Sequence, residues 1–270
     1  MALSTWTNKN VIICGGSAGF GLNLAETYGA QGASVILVAR NAGRLRTAHD
    51  YLQNKRIKVQ TFVADATSDQ DIEALGKFIT TELGGKLDVL VNATGKSDRG
   101  RAVATTVEEF QSLWDTNFLS AVRCTKTLLP NIQASQGSIV NIGSLASKTA
   151  GLYLGGYPAA KHALAAYSQQ LRLELAEKGV HVLLVCPGPI RRDDAGDRYA
   201  DAAKDLPESA MKPGGSKLKG LDAQVLAKQV VSACERRSPE LVVPRKARLL
   251  FAISQLWPSL GDRILRKMTS

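Results

Sequence analysis

Tyr157 and Lys161 lie four residues apart in the run Gly-Gly-Tyr-Pro-Ala-Ala-Lys. On an α-helix that spacing stacks both side chains on one face. There the ammonium can stabilise a phenolate and draw a group with a pKa of about 10 toward neutrality. A phenol so placed can hand a proton to a carbonyl oxygen. A solvated helix face produces the same spacing, so the pair takes its meaning from the rest of the chain.

Upstream lies a candidate nucleotide site. The segment Cys14-Gly15-Gly16-Ser17-Ala18-Gly19-Phe20-Gly21 follows an apolar run and precedes Leu22, Leu24, Ala25 and Tyr28 at helical spacing. Glycines between a strand and a helix let the backbone turn tightly and approach a pyrophosphate, which the helix's first amides and dipole then face. A site for NAD usually carries an acid about 20 residues further on, for the ribose hydroxyls. Here the second apolar run ends in Arg40, with Arg44 one helical turn later. Guanidinium groups suit a 2′-phosphate that an Asp would repel, which points to NADP(H) over NAD(H). The other reading of the two arginines is decoration of a solvated helix start. Asp65, next to Ala66, can accept from an adenine amino group or serve as a turn or cap residue. Asn92 to Gly95 form a second bend of small residues.

Such groups converge only if strands and helices alternate. Apolar runs recur at Val11–Cys14, Val35–Val38, Val59–Val63, Leu87–Val91, Ser138–Ile142, His181–Val185 and Leu241–Val243, separated by longer stretches with helical periodicity. This predicts an α/β chain: one doubly wound parallel sheet of about seven strands with helices on both faces, and ligands beyond the carboxyl ends of the strands. A 270-residue chain with 44% hydrophobic content can bury such a core as one domain. The boundaries expected are 1–244 for the nucleotide-binding domain, a substrate lid at about 187–220, and a tail at 245–270.

The net charge is +10, and half of it falls in the tail, where Arg245, Lys246, Arg248, Arg263, Arg266 and Lys267 face only Asp262. No recognition motif or aromatic cluster accompanies the charge, so nucleic acid is not an expected partner. Leu249, Ile253, Leu256, Leu260, Ile264 and Met268 recur mostly at steps of three or four, which predicts an amphipathic helix pair broken at Pro258. That stripe can lie at a membrane surface or pack on protein. The four cysteines lack metal spacing, as do His49, His162 and His181, so no metal is expected. The opening residues lack the apolar run of a signal peptide, and a cytoplasmic protein, peripheral to a membrane if the tail binds one, is the expectation.

Taken together these residues resemble the short-chain dehydrogenase/reductase family over residues 8–244. The family's glycine motif maps onto Cys14, Gly15, Gly19 and Gly21, enclosing Ser17, Ala18 and Phe20, and its Asn-Asn-Ala-Gly bend maps onto Asn92, Ala93, Thr94 and Gly95. Its active-site tetrad falls on Asn117, Ser144, Tyr157 and Lys161, separated by 27, 13 and 4 residues. Its Pro-Gly turn falls on Pro187 and Gly188, with Ile190 just beyond. The resemblance implies a Rossmann-type fold in which Ser144 holds a substrate carbonyl while Tyr157 protonates it during hydride delivery from NADP(H). Lys161 would hold the nicotinamide ribose, and Asn117 a water leading to Lys161. Taken singly, Ser144 also reads as a helix cap and Asn117 as a locally satisfied polar residue.

Cys14 and Ala93-Thr94 depart from the family pattern, and Arg192 stands where many members carry a Thr that contacts the carboxamide. Arg191, Arg192, Asp193 and Asp194 also read as a charged lid hinge. The activity implied is reversible reduction of a ketone, apolar or lipid-like, with a further likeness to 3-ketodihydrosphingosine reductases. The alternative is an NADP(H)-binding regulator without turnover. A homodimer or homotetramer, paired through helices around Val107–Leu129 and Tyr157–Lys178, is implied by the same resemblance.

Overall fold

The computed structural model describes residues 5–191, 204–211 and 218–269. Arg192, Asp193, Asp194 and much of the expected lid lie outside them. Seven strands, β1 (Asn10–Cys14), β2 (Ser34–Ala39), β3 (Val59–Val63), β4 (Val89–Asn92), β5 (Ser138–Ile142), β6 (His181–Pro187) and β7 (Glu240–Val243), form one parallel sheet in the order β3-β2-β1-β4-β5-β6-β7. The helices are α1 (Gly19–Ala30), α2 (Ala42–Asn54), α3 (Asp69–Glu82), α4 (Val107–Trp114), α5 (Ser120–Ala134), α6 (Tyr157–Leu175), α7 (Glu208–Met211), α8 (Ala223–Glu235), α9 (Ala247–Leu256) and α10 (Pro258–Thr269). A π-helical turn at Asp115–Leu119 joins α4 to α5.

The strands are apolar on both faces because both faces are covered. Val11 and Ile13 of β1 pack with α1, α2 and α8 through Leu24, Tyr28, Leu45, Leu52, Val230 and Val231. Ile12 and Cys14, pointing the other way, pack with α3, α5 and α6 through Ile72, Leu75, Leu128, Ile132 and Leu171. Each fully buried Ile or Leu contributes about 1.5–3 kcal/mol, so the alternation on β1 alone commits both layers.

The sheet reverses its winding at β1, which pairs with β2 on one side and β4 on the other. Crossover connections leave these neighbours in opposite directions, opening a crevice above their carboxyl ends. Register brings Cys14 level with both Val38 and Asn92, so the loops after β1, β2 and β4 start at one height. The helix pair foreseen at the tail is present, with α9 ending at Leu256, Trp257 following it and Pro258 opening α10. The two pack closely where Gly261 meets Ser254, since a Cβ on Gly261 would lie 2.6 Å from the Ser254 Cα.

Candidate active site

A cleft of about 900 Å³ lies over the carboxyl ends of the strands. Its floor is the glycine turn. Gly15, with φ +89°, takes a conformation that L side chains rarely adopt, and a Cβ there would lie 2.9 Å from the backbone of Ala93. A Cβ on Gly21 would lie 2.1 Å from the Gly15 carbonyl oxygen. The turn and the first turn of α1 are therefore pressed together. Asn41, Ser68, Thr106 and Asp222 cap α2, α3, α4 and α8 with their side chains. By contrast, α1 starts on Ala18 with no side-chain cap and no acidic residue in its first turn. Ser17, Ala18 and Phe20 line the cleft there, so the leading amides of α1 suit the pyrophosphate of a dinucleotide.

Arg40 and Arg44 line the end of the cleft beside the glycine turn, and both are exposed. Arg40 pairs with Asp65 at 3.3 Å. The Asp65 carboxylate also accepts from the amide and hydroxyl of Thr67. Partial burial raises its pKa, but the Thr67 bonds and the Arg40 charge outweigh that and hold it below the usual carboxylate range. Asp65 is thus a turn residue in this structure, and it remains on the wall with Ala66.

The tetrad converges at the opposite end. Lys161 is buried, its Nζ donating to the Ile142 carbonyl at 2.9 Å and lying 5.8 Å from the centre of the Tyr157 ring. Burial pulls its pKa down to about 8. Asn117 sits in the π-helical turn, where Nδ2 donates to the Leu113 carbonyl and Oδ1 accepts from the Lys96 amide. Gly95 lets these groups meet: a Cβ on it would lie 2.7 Å from Asn117 Oδ1 and 3.5 Å from Lys161 Nζ. Ser144 ends the loop after β5 and caps the short 3₁₀ turn Leu145–Ser147, its Oγ accepting from the Ala146 amide at 3.1 Å. Ser144 thus caps the turn, and it also lines the cleft.

All four tetrad residues line the cleft, as do Gly15, Gly21, Gly95, Pro187, Gly188 and Ile190. Gly19 and Asn92 do not. Asn92 is buried, and its Nδ2 donates to Asn141 Oδ1 at 2.8 Å. Asn141 in turn donates to Ser168 Oγ, which donates to the Leu164 carbonyl. This polar chain ties β4 to β5 and α6 through the interior.

Sequence reasoning missed two features. Arg99, buried in the cleft wall, donates to the Ala210 carbonyl at 2.7 Å and holds α7 against the loop after β4. The other is the roof. Leu250, Phe251, Ile253, Ile264, Leu265 and Met268 of α9 and α10 line the cleft, while Phe251 and Ala247 pack on Leu184, Cys186 and Val242. The 3.6-residue period announced an apolar stripe but not which surface it meets.

The profile of the short chain dehydrogenase family matches residues 9–202. The chain belongs to that family of oxidoreductases. It is 28% identical to the ketoacyl reductase HetN of a Nostoc species, over 98% of this chain and 90% of that one. It is 29% identical to dehydrogenase/reductase SDR family member 7B of Danio rerio, over 96% and 84%. An actinorhodin polyketide ketoreductase solved with NADPH superposes with a TM-score of 0.80 at 25% identity, covering 90% of this chain and 98% of that one. Among the described residues no helix is long and apolar enough to cross a membrane, and no cluster of metal-binding side chains occurs.

Proposed function

We propose that the chain is an NADP(H)-dependent reductase that converts a ketone, apolar over most of its length, into a secondary alcohol. The observation that carries this reading is the convergence of Asn117, Ser144, Tyr157 and Lys161 in one cleft with an uncapped helix start and two arginines. NADPH in the actinorhodin ketoreductase structure supports the choice of cofactor.

A dihydronicotinamide bound there supplies the hydride. The chain supplies orientation and the proton. Ser144 Oγ donates to the substrate oxygen, and Tyr157 gives up its phenolic proton as negative charge grows there. The Lys161 ammonium, charged at neutral pH even with its pKa near 8, favours negative charge on the phenol oxygen as that proton leaves. Gly95 brings its backbone close to both Asn117 Oδ1 and Lys161 Nζ, and on this reading a water held near Asn117 returns the proton through Lys161. Arg40 would leave Asp65 to hold a 2′-phosphate, a move that its exposed position permits.

The apolar roof supports an apolar substrate, and the exposed Val107, Trp114 and Leu173 of α4 and α6 support a homo-oligomer paired through those helices. Residues 245–270 belong to the same reading as an accessory segment that meets substrate and a membrane surface. NADPH and NADH oxidation against a panel of short and long ketones tests the proposal. Tyr157→Phe should lower turnover by about 10²–10⁴-fold with NADPH affinity intact, and Arg40→Ala should weaken NADPH about tenfold while leaving NADH unchanged. Tight NADPH binding with no turnover on any ketone would give the fold to a non-catalytic regulator.

A further inference from the structure

The α9–α10 hairpin has a second, exposed apolar surface, which starts at the rim of the cleft. Leu249, Ala252 and Leu256 stand at i, i+3 and i+7 along α9, one stripe of a helix, and all three are exposed. Leu249 is 67% exposed, Leu256 67%, Trp257 59% and Leu260 43%. Single exposed apolar residues are ordinary, but four forming a path are not. The path runs from Leu249, which also lines the cleft rim, to a tip where Leu256, Trp257 and Leu260 share a surface depression with Arg263.

Charge chooses the occupant. Arg245, Lys246, Arg263 and Arg266 are exposed on the same segment, where Asp262 is the one acid. A two-fold contact through this segment would bring two net-positive segments together, whereas an anionic surface meets the path with complementary charge, and Trp at such a tip fits the headgroup boundary. We propose that the outer stripe of α9 and the Trp257 tip dock on an anionic lipid bilayer, setting the cleft rim at its surface. An apolar substrate then passes along the stripe past Leu249 into the roofed cleft without crossing water. The docking stands on its own, and the hand-over rests on the ketone-reductase reading.

Co-sedimentation of the full chain with vesicles of equal parts phosphatidylcholine and phosphatidylglycerol, against phosphatidylcholine alone, tests the dock. The chain should pellet with the anionic vesicles only and be released by raised salt. The triple variant Leu256→Ser, Trp257→Ser, Leu260→Ser, none of which lines the cleft, should lose that binding by about tenfold or more while keeping its melting temperature and NADPH affinity. The variant should also reduce a long-chain ketone embedded in these vesicles more slowly than the parent, yet match it on a short water-soluble ketone. Failure of the parent to pellet, or equal pelleting of the variant, overturns the proposal. So does light scattering that shows a dimer which the variant alone breaks, since that gives the tip to a second copy. If neither protein reduces any ketone, the reductase reading fails and sedimentation alone decides the dock.

Discussion

The floor and the roof of the cleft are built in different ways. The floor is backbone: glycines at positions 15, 21 and 95 press loops to distances that no side chain fits, and a polar chain from Asn92 to Ser168 pins the strands beneath. The roof is side chains: Phe251, Ile264 and Met268 on two short helices at the end of the chain. A backbone cradle accepts one ligand shape and resists substitution, whereas a side-chain wall can change residue by residue. Under the function proposed above, recognition of the dinucleotide and choice of substrate fall to separate parts of the chain.

That contrast breaks if floor substitutions prove mild or roof substitutions disturb nucleotide binding. Lys161 should give the largest effect. Its folded pKa is about 8 against an ordinary 10.5, so between those values the unfolded chain binds more protons and stability rises with pH. Below that window the burial penalty is present in full. Lys161→Met should flatten a rise of about 3 kcal/mol, read from urea melts of the nucleotide-free protein at a series of pH values; an undiminished rise would assign it to another group. Gly21→Ala should follow, weakening NADPH by about 2–3 kcal/mol, since its Cβ would land 2.1 Å from the Gly15 oxygen. A fluorescence titration that finds unchanged affinity would show that the floor yields. The smallest effect belongs to the roof. Phe251→Ala should cost about 1–2 kcal/mol of stability, less than a fully buried Phe would, and raise KM for long ketones severalfold with NADPH affinity unchanged. A matching loss of NADPH affinity would join the two regions.

The floor was legible in the sequence because its signals are local. The run Val11–Cys14 and the glycines after it sit in one short segment, and the tetrad's spacing constrains four positions at once. Asn92 read as a bend residue because the segment is rich in small residues. Its true setting depends on register, where it pairs level with Asn141, and two asparagines near the ends of neighbouring strands were the available clue. The roof depended on tertiary placement, since an amphipathic helix states that it has an apolar face and not what covers it. Arg99 lay in a loop with no periodicity to mark it.

The π-helical turn at Asp115–Leu119 left no trace in composition, yet it governs where Asn117 sits. Such a turn holds one residue more than a regular helix would. Deleting a single residue from this stretch would let α4 and α5 merge into one uninterrupted rod and gain tighter hydrogen bonding. The same deletion would swing every side chain on one side of it by about 100°. The protein therefore keeps a local irregularity whose repair would make the rod sturdier and leave the amide of Asn117 facing elsewhere.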